Sequence, residues 1–123
     1  MVDIKFNQQV GIFEFRLVGN ISLNELLECI NFRNENTTYP RSLKMMIDAT
    51  NANFTFEIDD LDIIAFENLK SLEKYDYIFD AIILDTPKNT ALSILYKQLA
   101  KVINYEFVYF STKKCAIKWL NAV

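Results

Sequence analysis

Residues 78–84 read Ile-Phe-Asp-Ala-Ile-Ile-Leu, an apolar run that Asp85 stops. A shorter apolar run, Leu43 to Ile47, is followed in the same way by Asp48 and a polar loop. Short apolar runs bounded by turn residues are typical of buried strands in a parallel sheet. Residues 105–110 form a third segment, rich in aromatic residues that favour strands. These segments predict a core of parallel strands.

Helical patterns lie between these strands and after the last of them. Asp59 to Tyr75 has apolar residues at helical spacing, with carboxylates in the first turn, where they complement the helix dipole. Thr86 and Pro87 suit the cap and the first position of the next helix. We predict that this helix buries Leu92, Leu95, Leu99, Val102 and Ile103. Ser111 is the predicted cap of a closing helix that packs Ala116, Trp119 and Leu120 inward.

Two strands and a helix precede these units. Val10 to Val18 alternates apolar and polar residues, and we predict that Val2 to Phe6 pairs with it as an antiparallel edge strand. Residues 19–20, Gly-Asn, are expected to break this strand. Ser22 and Glu25 then have the spacing of a capping box, which predicts the start of a helix.

The predicted order is β-β-α-β-α-β-α-β-α. This order describes an α/β fold with a mostly parallel mixed sheet and an antiparallel N-terminal edge strand. The length of 123 residues is usual for one domain, so we expect residues 1–123 to form a single domain.

Composition excludes several classes of function. The chain has no histidine, which removes the commonest general base and zinc ligand. Its two glycines, Gly11 and Gly19, cannot form a dinucleotide-binding or P-loop motif, so we expect no cofactor. A net charge of −3 without a basic cluster argues against nucleic acid as a partner.

Location and redox state are also expected from composition. The first residues, Met1 to Lys5, have no apolar signal core, and no stretch approaches the length of a membrane span, which indicates a cytoplasmic protein without an integral membrane segment. Cys29 and Cys115 show no metal-ligand spacing and are predicted to be buried free thiols. The six tyrosines are expected at the core boundary, with their hydroxyl groups in water.

The order and several short motifs resemble the SpoIIAA-like (STAS) superfamily, and in particular its small stand-alone STAS/SEC14-like bacterial proteins. The motifs that carry this resemblance are Val18-Gly19-Asn20-Ile21-Ser22 leading into Glu25 and Leu26, Met46-Ile47-Asp48, Phe54 before Asp59-Asp60-Leu61, Asp80-Ala81-Ile82-Ile83, and Val108-Tyr109-Phe110-Ser111 leading into Ala116, Trp119 and Leu120. The resemblance implies a SpoIIAA-like fold and a regulatory or binding function rather than catalysis.

Regulators of this superfamily are switched by phosphorylation in an Asp-Ser-x-Gly turn before the second helix. The matching residues here, 54–59, contain no serine or glycine, and Thr55 is the nearest hydroxyl. A phosphate on Thr55 would face Glu57, Asp59 and Asp60. We therefore expect a module without the usual phosphoacceptor serine.

Three groups of residues are candidate sites. Ligands of open parallel sheets favour the crevice at the carboxyl ends of the strands, which predicts a site at Asp48, Thr50, Asn51, Asp85, Thr86 and Ser111. Two lysines in the first turn of the last helix oppose its dipole, which predicts an anion site at Ser111, Thr112, Lys113 and Lys114. An apolar patch or pocket is predicted around the second helix, at Phe54, Phe56, Ile58, Ile63 and Phe66.

Each candidate site has a structural alternative. Strand-terminal aspartates often cap turns, paired lysines are often only solvated, and the phenylalanines can simply extend the core. The leading hypothesis is a non-enzymatic binding or regulatory module that acts through protein contacts along the second helix and the strand-end loops. The runner-up is a carrier of an apolar or lipid-like ligand, and the third is a hydrolase or magnesium enzyme that uses Asp48 and Asp85. A homodimer is compatible with each of these hypotheses.

Overall fold

The structure is a computed structural model that describes residues 1–36 and 38–123. The strands are β1 (Val2–Asn7), β2 (Ile12–Ile21), β3 (Ser42–Phe54), β4 (Tyr77–Ile83) and β5 (Tyr105–Phe110). The helices are α1 (Leu23–Glu35), α2 (Leu61–Lys70), α3 (Pro87–Leu99) and α4 (Lys113–Ala122). Short 3₁₀ turns, Ile58–Asp60 and Ser71–Glu73, precede and follow α2.

The strands form one five-stranded sheet in the part of the chain that the structure describes, in the order β1-β2-β3-β4-β5. β1 pairs with β2 antiparallel, and the other neighbours are parallel. The predicted element order and mixed sheet are therefore confirmed. No helix of the described residues is long and apolar enough to cross a membrane.

The second and third strands are longer than predicted. Gly19 and Asn20 lie within β2, where they pair with Ala52 and Asn53 of β3, so the predicted break is wrong. The pairing shifts register between Arg16 and Val18, and Gly19 adopts a φ of +79°. An irregularity of this kind lets the strand continue through a local bend, because glycine tolerates a positive φ.

Asp48 also lies within a strand rather than after one. Its backbone pairs with Arg16 on one side and Ile83 on the other, and β3 continues to Phe54. The Asp48 side chain accepts hydrogen bonds from the backbone amide and the hydroxyl of Thr50, at 3.1 and 2.6 Å. These local bonds satisfy the carboxylate without a turn, which is why the predicted strand end is wrong.

The two faces of the sheet carry different layers. Helices α1, α2 and α3 cover one face and share a large core with it, which includes Phe15, Met45 and Ile82. Helix α4 covers part of the other face, where Ala116 and Leu120 are fully buried. Successive side chains of a strand point to opposite faces, so alternate residues of the same strands supply the two cores.

The closing helix packs as predicted at its apolar positions. Ala116 and Leu120 contact a small cluster that includes Ala81 and Ile83 of β4. The ring of Trp119 lies at the edge of this cluster, with its centroid 6.0 Å from that of Phe79. Helix α4 therefore seals the face of the sheet opposite to the other three helices.

The buried face of α3 differs from the prediction. The helix buries Asn89, Leu92, Ser93 and Tyr96, whereas Leu95 and Leu99 are exposed. The other residues of the predicted face, Val102 and Ile103, lie beyond the helix and are also exposed. The physical reason is that polar side chains of α3 have hydrogen-bond partners inside, such as the Ala52 carbonyl that accepts from Asn89 Nδ2 at 3.0 Å.

The predicted helix caps are confirmed at two of three positions. Ser22 and Glu25 form the capping box of α1, and Thr86 caps α3. The cap of α4 is Thr112, whose hydroxyl accepts a hydrogen bond from the Cys115 amide at 3.2 Å. The prediction of Ser111 as this cap is wrong by one residue, because the helix begins at Lys113.

The cap of α4 can be tested with neighbouring substitutions. We expect Thr112→Ala to lower the free energy of unfolding by about 1 kcal/mol, because an N-terminal amide of the helix loses its acceptor. The matched change Ser111→Ala should alter it by less than about 0.5 kcal/mol. Urea denaturation of both variants measures these values. Equal losses, or a larger loss for Ser111→Ala, would contradict the assignment.

Candidate functional site

A cavity of about 90 Å³ lies between the sheet and the helices α1, α2 and α3. Its floor includes Phe15, Ile47 and Ile82, which are register partners on three adjacent strands. Ile47 belongs to the central strand, yet it is only partly buried. The central strand is therefore left partly uncovered at the cavity.

The walls of the cavity are mainly apolar. Phe54 and Phe56, whose ring centroids lie 5.1 Å apart, form one side together with Leu61 and Ile64 of α2. Leu26 of α1 is only partly buried and lines another side. The arrangement suits a small apolar molecule.

One part of the cavity wall is polar and belongs to a buried ring of side chains. We call this set the polar ring, and its members are Arg33 on α1, Asn68 on α2, Tyr96 on α3, Tyr105 on β5 and Asp80 on β4. Every member lines the cavity and is at least nine-tenths buried. The polar ring thus connects the three helices of this layer to two strands.

Hydrogen bonds run around the polar ring. Arg33 Nη2 donates to Asn68 Oδ1 at 2.9 Å, and Asn68 Nδ2 donates to the Tyr96 hydroxyl at 2.6 Å. The hydroxyls of Tyr96 and Tyr105 lie 2.8 Å apart, and Tyr105 donates to Asp80 Oδ2 at 2.5 Å. Because the Tyr105 hydroxyl already donates its hydrogen bond to Asp80, the Tyr96 hydroxyl is the donor to Tyr105. The two ends meet where Arg33 Nη1 lies 4.0 Å from Asp80 Oδ1.

Further contacts hold Arg33 in place. Its Nη2 donates to the Ser71 hydroxyl at 2.5 Å, and its Nη1 lies 3.1 Å from the sulfur of Met45. Its backbone carbonyl accepts a hydrogen bond from the Tyr75 hydroxyl at 2.7 Å. The guanidinium group is thus fixed between helix α1 and the 3₁₀ turn that follows α2.

Burial controls the electrostatics of the polar ring. Arg33 is 1% exposed and Asp80 is 2% exposed. Burial raises the pKa of Asp80 above its ordinary value, while the charge of Arg33 and the Tyr105 hydrogen bond lower it. Burial also raises the pKa values of Tyr96 and Tyr105, so both hydroxyls stay protonated. Arg33 and Asp80 are placed as a buried pair of opposite formal charge, with 4.0 Å between Nη1 and Oδ1.

Two polar atoms of the ring lack a hydrogen-bond partner among the described residues. They are Arg33 Nε, a donor, and Asp80 Oδ1, an acceptor. The gap of 4.0 Å between Arg33 Nη1 and Asp80 Oδ1 is too long for a hydrogen bond. One donor and one acceptor, in two residues that line the cavity, are therefore left without a partner.

Cys29 also lines the cavity. Burial, reinforced by the nearby charges of Glu28 and Glu25, raises the pKa of its thiol to about 11. A thiol of this kind is a weak nucleophile at neutral pH. Cys115 is exposed, so the prediction of two buried thiols is wrong for Cys115, which lies on the outer side of α4. Both cysteines are free.

The residues of the predicted strand-end crevice are either engaged in local hydrogen bonds or exposed. Asp48 is bound to Thr50, and the Thr86 hydroxyl caps α3 by accepting from the Asn89 amide. Asn51, Asp85 and Ser111 are exposed. Asp48 follows the same strand alternation as Met46, which packs on the α4 side, so its side chain points away from the cavity. The described residues contain no cluster of three potential metal ligands.

The predicted apolar patch is divided between the interior and the surface. Phe54 and Phe56 are buried in the cavity wall. Ile58, Ile63 and Phe66 are 61%, 44% and 64% exposed, on the outer side of α2 and the 3₁₀ turn before it. The residues that were predicted to form a single patch or pocket therefore belong to two separate features, the cavity wall and a surface patch.

The remaining predicted residues lie on the surface. Ser111, Thr112, Lys113 and Lys114 are exposed, with Thr112 engaged as the cap of α4. The Thr55 hydroxyl donates to the Ile21 carbonyl at 3.3 Å. These contacts give Thr112 and Thr55 structural roles.

The polar ring was missed by sequence reasoning. The available signal was Asp80, a carboxylate within an apolar run that predicts a buried strand, because a buried charge requires a partner. Tyr75, Tyr96 and Tyr105 were expected at the boundary, and this expectation is wrong because their hydroxyls have partners in the interior. The partners come from distant segments, so spacing in the sequence did not reveal them.

Comparison with known proteins gives a structural likeness. No family model and no curated protein matches the sequence. The chain is similar in structure to an uncharacterized protein of the DUF3478 family with a SpoIIAA-like fold, from Shewanella loihica PV-4. The TM-score is 0.58 at 17% identity, over 98% of this chain and 92% of the other. The protein described here therefore has a SpoIIAA-like fold, as the resemblance implied.

Proposed function

We propose that this protein is a non-enzymatic module that binds a small, mainly apolar molecule in the cavity between the sheet and helices α1, α2 and α3. The observation that carries this proposal is an apolar cavity of about 90 Å³ over the central strand, with Ile47 left partly uncovered. Well-packed cores contain few voids larger than a water molecule. A cavity of this size favours the carrier hypothesis over a simple extension of the core.

The nature of the lining supports binding rather than catalysis. Cys29 is protonated at neutral pH, and the ionisable groups of the polar ring are engaged with one another. These groups are suited to holding a ligand in one orientation. The proposed module acts without a phosphoacceptor serine, because Thr55 is the only hydroxyl residue in the segment 54–60 that precedes α2.

Xenon binding tests whether the cavity admits an apolar ligand, because apolar cavities bind xenon without specific contacts. We expect xenon to shift the methyl resonances of Leu26, Ile47 and Ile82 in NMR spectra of the wild-type protein. Ile47→Phe should abolish the shifts of Leu26 and Ile82 by filling the cavity. The matched change Ile103→Phe, at a site that is 89% exposed, should leave them unchanged.

Native mass spectrometry then asks whether a molecule is carried. We expect protein purified without organic solvent to retain a small adduct, which Ile47→Phe loses and Ile103→Phe keeps. Xenon shifts that are absent in the wild type, or that persist in Ile47→Phe, would overturn the proposal. Detection of the wild-type protein only in its ligand-free mass would contradict the carrier role.

A second candidate function is binding of a protein partner through the surface of α2. Its support is the exposure of Ile58, Ile63 and Phe66, since large apolar side chains in contact with solvent often mark interaction surfaces. The Lys70 ammonium group lies 5.4 Å from the centre of the Phe66 ring and 3.4 Å from Glu67 Oε2, so the edge of this patch carries an ion pair. The patch and the cavity are on opposite sides of α2, so the two functions are compatible.

The candidate partner surface is tested by substituting its most exposed ring. We expect Phe66→Asp to abolish self-association or capture of a defined partner, because it places a charge within the apolar patch. The control is Ile103→Asp, which changes a residue outside the patch that is even more exposed, 89% against 64% for Phe66. Light scattering measures the oligomeric state, and crosslinking identifies any partner. If both variants retain every association of the wild type, this role is wrong.

A further inference from the structure

The polar end of the cavity has an unusual combination of unused groups. Arg33 Nε and Asp80 Oδ1 are buried, belong to residues that line the cavity, and have no hydrogen-bond partner among the described residues. A buried donor or acceptor without a partner costs about 1–3 kcal/mol, and more when it belongs to a charged group. A molecule that supplied the missing partners would recover this free energy on binding.

Apolar side chains lie next to the polar ring on the sheet. Met45 of β3 is the register partner of Asp80. Ile82 lies two residues after Asp80 on β4, on the same face of the sheet. The cavity volume of about 90 Å³ leaves room for several water molecules or for one small organic molecule. The site therefore combines one polar corner with apolar walls.

We propose that the cavity selects a small, uncharged molecule whose polar head both accepts a hydrogen bond from Arg33 Nε and donates one to Asp80 Oδ1, with an aliphatic alcohol as the simplest example. This inference rests on the proposed ligand-binding function and names the class of ligand. The hydrocarbon part of the molecule lies against Phe15, Ile47 and Ile82.

Charge balance explains why the head is uncharged. Arg33 and Asp80 already neutralise each other, with 4.0 Å between Nη1 and Oδ1. A carboxylate head would add a negative charge next to Asp80, and an ammonium head would add a positive charge next to Arg33. Either ion would be buried without a counterion, which is costly in an apolar interior. A hydroxyl group supplies a donor and an acceptor without this cost.

A ketone would satisfy only half of the site. It accepts from Arg33 Nε but leaves Asp80 Oδ1 without a donor. A plain hydrocarbon satisfies neither atom. Sites built to hydrogen-bond a hydroxyl discriminate strongly against analogues that lack it, because the polar groups of the protein are left unpaired. The order of affinity among matched ligands is therefore a direct measure of the proposed recognition.

The test uses cyclopentanol, cyclopentanone, cyclopentane and cyclopentanecarboxylate as probes. We expect cyclopentanol to bind the wild-type protein with a Kd at least about tenfold lower than that of cyclopentane. Cyclopentanone should fall between them, and the carboxylate should bind most weakly. NMR titration of the methyl resonances of Ile47 and Ile82 measures all four affinities.

The Arg33 side chain provides a readout that needs no substitution. Its Nε–H resonance should shift on saturation with cyclopentanol and stay unchanged with cyclopentane. In the variant Arg33→Lys, which keeps the charge but removes Nε, the preference for the alcohol should fall to about twofold or less. The matched control is Arg41→Lys, at an exposed arginine, which should keep the full preference.

The outcomes separate this inference from the proposed function. Equal affinities for cyclopentanol and cyclopentane, or tightest binding of the carboxylate, would overturn the inference while ligand binding stands. An Arg33 Nε–H that stays in contact with water at saturating cyclopentanol would also overturn it, because water would then be the partner. Binding of none of the probes, together with absent xenon shifts, would overturn the proposed function itself.

Discussion

The buried pair of Arg33 and Asp80 is the interaction on which the helical layer of this protein depends. Removing two charges from water is expensive, and their mutual attraction offsets this cost only when their other polar atoms are hydrogen-bonded. The polar ring supplies most of these bonds through Asn68, Tyr96 and Tyr105. Because each member comes from a different helix or strand, the ring fixes the positions of α1, α2 and α3 over β4 and β5.

The polar ring also explains two features that the apolar pattern does not. Helix α3 turns Tyr96 inward and leaves Leu95 and Leu99 exposed, because the Tyr96 hydroxyl has partners inside. The layer retains a cavity where the helices meet, with the ring on one side and aromatic side chains such as Phe54 on the other. A polar corner beside an apolar space is the usual composition of a site for a small molecule.

The sequence was sufficient for the architecture and insufficient for the site. The element order was predictable from local signals. The capping box at Ser22 and Glu25 and the apolar run at 78–84 each depend only on residues close together in sequence. The predicted patch contained Phe54 and Phe56, which do line the cavity, but it joined them to exposed residues such as Phe66. The polar ring depends on contacts between Arg33 and residues more than thirty positions away, so only the folded chain brings its members together.

A double-mutant cycle between Arg33 and Asp80 tests this account most directly. Arg33→Met and Asp80→Leu should each lower the free energy of unfolding by about 3–5 kcal/mol, because each leaves one buried charge without its partner. The double variant should lose far less than the sum of the two single changes, since neither charge remains. Urea denaturation measures all four proteins. Losses that add to the sum would contradict the central role of this pair.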